Sequence, residues 1–336
     1  MSGNENMLKK NERIVWIDIA KGIAILLVVF GHNLGEENVV RMFVYSFHVP
    51  LFIMIGGYFY KDNPFLPFLW KNVKQILLPY ILTLILQYVL CVLLKGTYWR
   101  EACQRAFCTI VCGKTIPSGY AGSIGVLWFL TTLFGVRMLF WIVTRCCREN
   151  EWAKSLFVLL IVMVGMYVAQ ERRLSLGNLP WSLDLVLVAV GFYYVGYRLK
   201  KENVILELLR NKLCMVLCLC IWCLGLGRGI YLEFAWRSYP GELTSMVIAV
   251  AGSILCCKVS CYLEKIKVAK DVLSWIGRGT LVILCTHHLE KELVPYGSRL
   301  WGWRLFLAKL VVILAGYFVF CMGKWVIRGG LKHERV

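Results

Sequence analysis

The sequence predicts an all-α fold: a polytopic integral membrane helix bundle of about ten transmembrane helices, both termini cytoplasmic. Three observations predict it. Hydrophobic residues make up 59% of the 336 and charged residues only 17%, against roughly 45–50% and 25% in a soluble domain. The apolar residues fall in runs near the roughly 20 that a spanning helix needs. Lys and Arg collect at the ends of those runs, which is how membrane proteins fix their orientation. This composition excludes a soluble fold and an intrinsically disordered chain. The net charge of +18 suggests nucleic-acid binding, but its placement assigns it to the membrane surface, so no nucleic-acid partner is expected.

The runs justify themselves in order. The first, 14–34, is not a cleaved leader: Asp18 and Lys21 interrupt it and no small-residue cleavage site follows. The second, 42–60, holds Pro50 and the pair Gly56 and Gly57, which allow a kink and close helix packing. The third and fourth, 72–94 and 124–144, flank the longest connection, 95–123. That connection predicts a short interfacial helix around Tyr98 to Cys112 and ends in a Gly/Ser-rich stretch, Ser118 to Gly125. The fifth and sixth are 153–170 and 180–198. The seventh, 212–227, is short. The eighth is 242–262, and the ninth, 271–290, carries several polar residues. The tenth, 303–327, leads into a tail, 328–336, so the chain reads as one membrane domain over 1–336 with a further tail of 13 N-terminal residues. No internal repeat is visible, which weakens the case for an inverted-repeat transporter. With the N-terminus inside, 22 Lys and Arg face the cytoplasm and 12 the opposite side, while Lys21, Arg137, Arg278 and Lys309 fall within spans. That bias supports an even number of spans in the plasma (inner) membrane. The fifteen cysteines lie mostly inside apolar runs, as Cys214, Cys218, Cys220 and Cys223 do, and read as small apolar fillers, with no zinc or redox framework expected. Two of Cys103, Cys108 and Cys112 could pair in an oxidising compartment.

Ionisable residues inside spans are costly, so each is a functional hypothesis. Asp18 and Lys21 are three apart and neighbour each other on a helix. His32 follows Lys21 by eleven residues, about 20° beyond three full turns and about 16 Å along the axis. All three share a face that must look into the bundle. The plainer reading of Asp18 and Lys21 is a self-neutralising ion pair; that of His32 is a helix-end histidine bonded to a carbonyl. His48 opens the second span near the outer surface, where a structural hydrogen bond is as good an account as catalysis. His287 and His288 end the ninth span on the same side, with Trp128 and Asp184 near it. Four of five histidines thus gather at one membrane face. No His-x3-His pair or compact carboxylate set accompanies them, so no metal is expected. Arg278, in the inner half of the ninth span, could meet an anionic group from the cytoplasm or snorkel to the surface.

The run from Arg13 through Asp18, Lys21 and Gly22 to Phe30, Gly31 and His32 resembles the opening signature of the membrane acyltransferase family 3, within it the fucose 4-O-acetylase-like branch. The family's basic residue, ten residues, histidine pattern falls on Lys21 and His32. Ser46, Phe47, His48, Val49, Pro50, Leu51 and Phe52 with Gly57 and Tyr58 resemble its second-span motif, and Leu127 to Leu130 its Trp-Phe motif. Ile276 to Leu281, leading to His287, resembles its late-helix motif, which has one histidine where this chain has two. The resemblance spans the chain, with its specificity concentrated in the first 60 residues. It implies an O-acetyltransferase that takes acetyl from cytoplasmic acetyl-CoA and places it on a hydroxyl of a surface glycan or glycolipid. It implies His32 as general base or transient acyl carrier, with Asp18 and Lys21 orienting the site. Lys21 and Arg278 would meet CoA, and His48 and His287 would be second-rank catalytic groups. Trp128, Asp184 and His288 would serve the acceptor.

A base active near neutral pH and a carbonyl-oxygen stabiliser are what acyl transfer needs, and histidine suits the first. Three rivals remain at this level: a glycan or lipid transporter or flippase, a non-enzymatic membrane receptor or structural partner, for which the Lys21–His32 spacing has no use, and an acyltransferase with a non-glycan acceptor. Membrane lipid is the other expected partner, and a homodimer is compatible with the sequence. The aromatics Tyr98, Trp99, Tyr120, Trp236, Trp301 and Trp303 could stack on sugar rings, or sit in an interfacial belt as most such residues do.

Overall fold

The computed structural model describes residues 13–34, 38–114, 123–170, 179–293 and 303–333, with backbone alone for 170, 303 and 324–333. Tyr120, Trp301 and the Trp303 side chain lie outside the described residues, as do the segments 115–122 and 294–302.

Among the described residues, seven helical stretches are long and apolar enough to cross a membrane: Val39–Tyr58, Phe65–Lys95, Gly125–Cys147, Glu151–Ala169, Pro180–Lys201, Leu243–Leu263 and Arg304–Gly323. Each falls on one of the ten runs. The other three runs are helical but differ from a simple span. The first is α1 (Val15–Gly31), 17 residues, closed where Asn33 Nδ2 donates to the Val29 carbonyl at 2.7 Å. The second run is two helices, α2 (Val39–Tyr45) and α3 (His48–Tyr58). The third comprises α4 (Phe65–Asn72), a π-turn over Val73–Leu77, and α5 (Leu78–Lys95). Pro79 explains the π-turn: it has no N–H to donate to Gln75, four residues back, so the ladder widens there. The expected interfacial helix is α6 (Trp99–Cys112).

Beyond it run α7 (Trp128–Cys147), α8 (Glu151–Gln170), α9 (Asp184–Lys201), the short α10 (Ile205–Arg210) and α11 (Lys212–Gly227). α11 is the short seventh run, 16 residues long. After α12 (Leu243–Leu263) the ninth run departs from expectation. It is two helices, α13 (Lys267–Arg278) and α14 (Thr280–Leu293), broken at Gly279. The break makes room for a neighbour. The Tyr317 ring of α15 (Trp303–His333) occupies the place a side chain at 279 would take, and its hydroxyl donates to the Trp275 carbonyl at 3.0 Å. α15 also runs on to His333, into the segment read as tail.

The bundle is assembled on α1 and α9. α13 lies along α1, α9 packs on α3, α7 and α8, and α14 lies between α5 and α15. α1 and α13 approach each other closely. A Cβ on Gly22 would strike the Leu273 carbonyl, and one on Gly277 the Asp18 carbonyl, so only glycine permits the contact. Outward faces are apolar in helical stripes: Leu156, Leu159, Leu160, Met163 and Tyr167 on α8, and Leu213, Val216, Leu217 and Leu224 on α11, are all exposed. Such faces suit lipid contact, and the chain is a multi-pass membrane protein. All fifteen cysteines are free thiols, including Cys103, Cys108 and Cys112. Cys220 and Cys223 do stand in C-x-x-C spacing, which the reading of the cysteines as fillers passes over. Both are exposed on α11 and unbonded.

Candidate functional site

The close α1–α13 contact has a consequence for charge. It sets Lys21 and Arg278 on one wall of a cavity of about 620 Å³. Asp18, behind that wall, is held by Arg13 Nε at 2.6 Å and by Lys21 Nζ at 2.7 Å. The predicted Asp18–Lys21 pair therefore exists, while Lys21 still lines the cavity. The π-turn turns Lys74 and Gln75 to the same space. Arg137 reaches it from α7, with Nη1 donating to Asn72 Oδ1 at 2.8 Å. Among the described residues this lining has four cations and no carboxylate. The rest of the wall is apolar, including Ile25, Val28, Phe52, Ile55 and Leu284, up to His32 and His48 at the far end. The arrangement suits a ligand with several negative charges at the Lys21 end and a long, weakly polar arm.

A second pocket, about 340 Å³, opens beyond His32. Its wall carries Arg41, Tyr45, Glu233, Trp236, His287, His288, Glu290, Lys291 and Lys309. His32, Val126 and Trp128 line both spaces. Among the described residues only one histidine is shared: His48 lines the first cavity alone, His287 and His288 the second alone. His32 follows the last turn of α1, with Nδ1 3.2 Å from the Tyr45 hydroxyl and its ring 5.3 Å from that of His287. His48 begins α3, and its Nδ1–H donates to the Val44 carbonyl at 2.7 Å. A carbonyl can only accept, so Nε2 of His48 carries the lone pair.

The two adjacent histidines of α14 part company. His288 Nε2–H donates to Gln87 Oε1 at 2.7 Å; the Gln87 amide donates to Glu292 at 3.0 Å, and Glu292 pairs with Lys95. His287 points the other way, to His32, with Glu290 Oε1 3.5 Å from its Nδ1 and Lys309 Nζ 3.1 Å from the same oxygen. Of the sequence-selected residues, Lys21, His32, His48, Trp128, His287, His288 and Arg278 line the two spaces. Asp184 lines neither. Its carboxylate takes two hydrogen bonds from Arg237, at 2.6 and 3.1 Å, both side chains buried, and so ties the start of α9 to the 232–239 loop.

Sequence reasoning did not single out Lys74, Gln75, Arg41, Tyr45, Glu233, Glu290 or Lys309. Part of the signal was present: the four basic residues inside spans, Lys21, Arg137, Arg278 and Lys309, all line one space or the other. Arg41 and Glu233, 2.8 Å apart, are brought together only by folding.

A family model described as an acyltransferase domain, of the acyltransferase 3 type, matches residues 14–328. No curated protein and no solved structure matches the chain.

Proposed function

This chain belongs to the acyltransferase 3 family of membrane acyltransferases, and we propose that it moves acetyl from cytoplasmic acetyl-CoA to a hydroxyl of an extracytoplasmic glycan or glycolipid. It is an enzyme of the EC 2.3.1 type. The finer reading places it in the plasma membrane of a bacterium-like cell, with both termini cytoplasmic and the Lys21 end of the first cavity facing the donor. One observation carries it: His32 is on the wall of both spaces. A donor entering beside Lys21 and an acceptor entering beside Trp236 would meet there.

In this reading the phosphates of CoA sit among Lys21, Lys74, Arg137 and Arg278. The pantetheine arm follows the apolar wall along α1, about 16 Å at 1.5 Å per residue, to His32. His32 takes the proton of the acceptor hydroxyl as its oxygen attacks the thioester carbon. The C–S bond breaks, and the proton passes to the CoA sulfur. Acid–base catalysis by one such group contributes about 10²–10⁴-fold. Tyr45, on Nδ1 of the His32 ring, holds its orientation. Asp18 fixes the Lys21 ammonium, and Trp128 forms part of the partition between donor and acceptor.

The test uses purified protein in nanodiscs with radiolabelled acetyl-CoA and the surface glycan fraction of the source cell. Label should reach glycan with the wild type and not with His32→Ala. Equal labelling by the variant would remove His32 from the role, and a wild type that neither binds nor turns over acetyl-CoA would overturn the donor assignment.

A further inference from the structure

The second pocket contains polar atoms that the fold leaves unanswered. Both ring nitrogens of His287 and Oε2 of Glu290 have no hydrogen-bond partner among the described residues. The two residues are only 6% and 2% exposed. The 3.5 Å from His287 Nδ1 to Glu290 exceeds the ordinary N–H···O range of about 2.7–3.2 Å. Buried polar groups are normally satisfied, so three orphan atoms on one pocket wall call for a ligand.

Their chemistry narrows what that ligand offers. Lys309 Nζ lies 3.1 Å from Oε1 of Glu290, and a carboxylate oxygen in such a pair accepts, so Oε2 calls for an O–H or N–H. A neutral imidazole both donates and accepts. The pocket is not negative overall: Lys309 answers Glu290, Arg41 answers Glu233, and Lys291 adds a further cation. An ammonium is therefore disfavoured, and a neutral hydroxyl fits. The position is equally specific, because the His287 ring lies 5.3 Å from that of His32. A group bonded to His287 and Glu290 is thus a near neighbour of the group presented to His32. Tyr45, Trp128 and Trp236 supply flat apolar surface around it.

We propose that the acceptor is a vicinal diol. One hydroxyl faces His32 and reacts; its neighbour donates to Glu290 Oε2 and accepts from the His287 ring. His287 and Glu290 are positioning residues, and Lys309 holds Glu290 in place. This rests on the acyl-transfer reading above.

Periodate cleaves the carbon–carbon bond between neighbouring hydroxyls, so it tests the acceptor without knowing its identity. The glycan fraction, oxidised with periodate and reduced with borohydride, should fall at least about tenfold as an acetyl acceptor for the wild type, the equivalent of ~1.4 kcal/mol. Glu290→Gln and His287→Asn should each raise KM for native glycan by about tenfold or more and leave KM for acetyl-CoA unchanged. A purely structural role would not split the two constants. Oxidised glycan that accepts as well as native glycan sinks the diol requirement. So do variants that lower kcat with glycan KM intact. Should a variant fail to insert, the wild-type periodate arm still decides. If the wild type labels no native glycan at all, the acetyl-to-glycan reading above fails and takes this one with it.

Discussion

The two spaces that meet at His32 are charged by opposite rules. Lys21, Lys74, Arg137 and Arg278 line the first with no carboxylate among its described lining residues. In the second, Arg41 faces Glu233 and Lys309 faces Glu290. A wall with cations and no carboxylate of its own attracts a polyanion and gains from its entry, even though Lys21 is held from behind by Asp18. Paired charges nearly cancel at long range but present fixed donors and acceptors at short range, which suits a neutral, hydroxylated ligand. In the proposed reaction this contrast favours the donor in the first space and the acceptor in the second.

The largest expected effect falls where the two spaces join. His32→Ala should cut transfer by about 10²–10⁴-fold while the protein still inserts, read by acetyl transfer beside size-exclusion behaviour in detergent. Asp184→Asn should act on stability, because it leaves the Arg237 charge buried without its counter-ion. The cost is about 3–5 kcal/mol, seen as a lower unfolding temperature, and acceptor KM should suffer more than donor KM because the 232–239 loop carries Glu233 and Trp236. A loss of donor affinity alone would break the comparison. Arg278→Ala should weaken acetyl-CoA binding by about 10- to 100-fold, the scale of a lost charge-assisted hydrogen bond, with acceptor KM unchanged. Gly277→Ala should reach the same donor constant indirectly, pushing α13 off α1 at a cost of about 1–3 kcal/mol. The smallest effect belongs to His288→Asn. Losing one satisfied hydrogen bond to Gln87 should cost about 1 kcal/mol of stability and leave transfer near wild type. A collapse of transfer there would make His288, not His287, the acceptor-side histidine.

Much of this was legible in the residues. The seven long apolar spans all coincide with predicted runs, because some 20 apolar residues in a row have few other homes. Lys21 and His32 were placed on one face by helical arithmetic, and both line the first cavity. The ninth run was less legible. Its break at Gly279 depends on Tyr317, 38 positions along the chain, and nothing local announces that. Asp184 illustrates the converse. An acidic residue at a span end reads as a site, yet its partner, Arg237, is 53 residues away and makes it a tie between elements.

The sequence by itself determined a membrane helix bundle, the family to which it belongs and the polar face of the first helix. The bundle and the polar face follow from composition and 3.6-residue periodicity, and the family from the motif residues around Lys21, His32 and His48 and the match over 14–328, all of them properties of the linear chain. The tertiary structure decided which of two adjacent histidines faces His32, that four cations line one space with no carboxylate among its described lining residues, and that two separate spaces share one imidazole. Those depend on how α1, α5, α13, α14 and α15 settle against one another. Close packing fixes that through contacts between residues far apart in sequence, where no local period reaches.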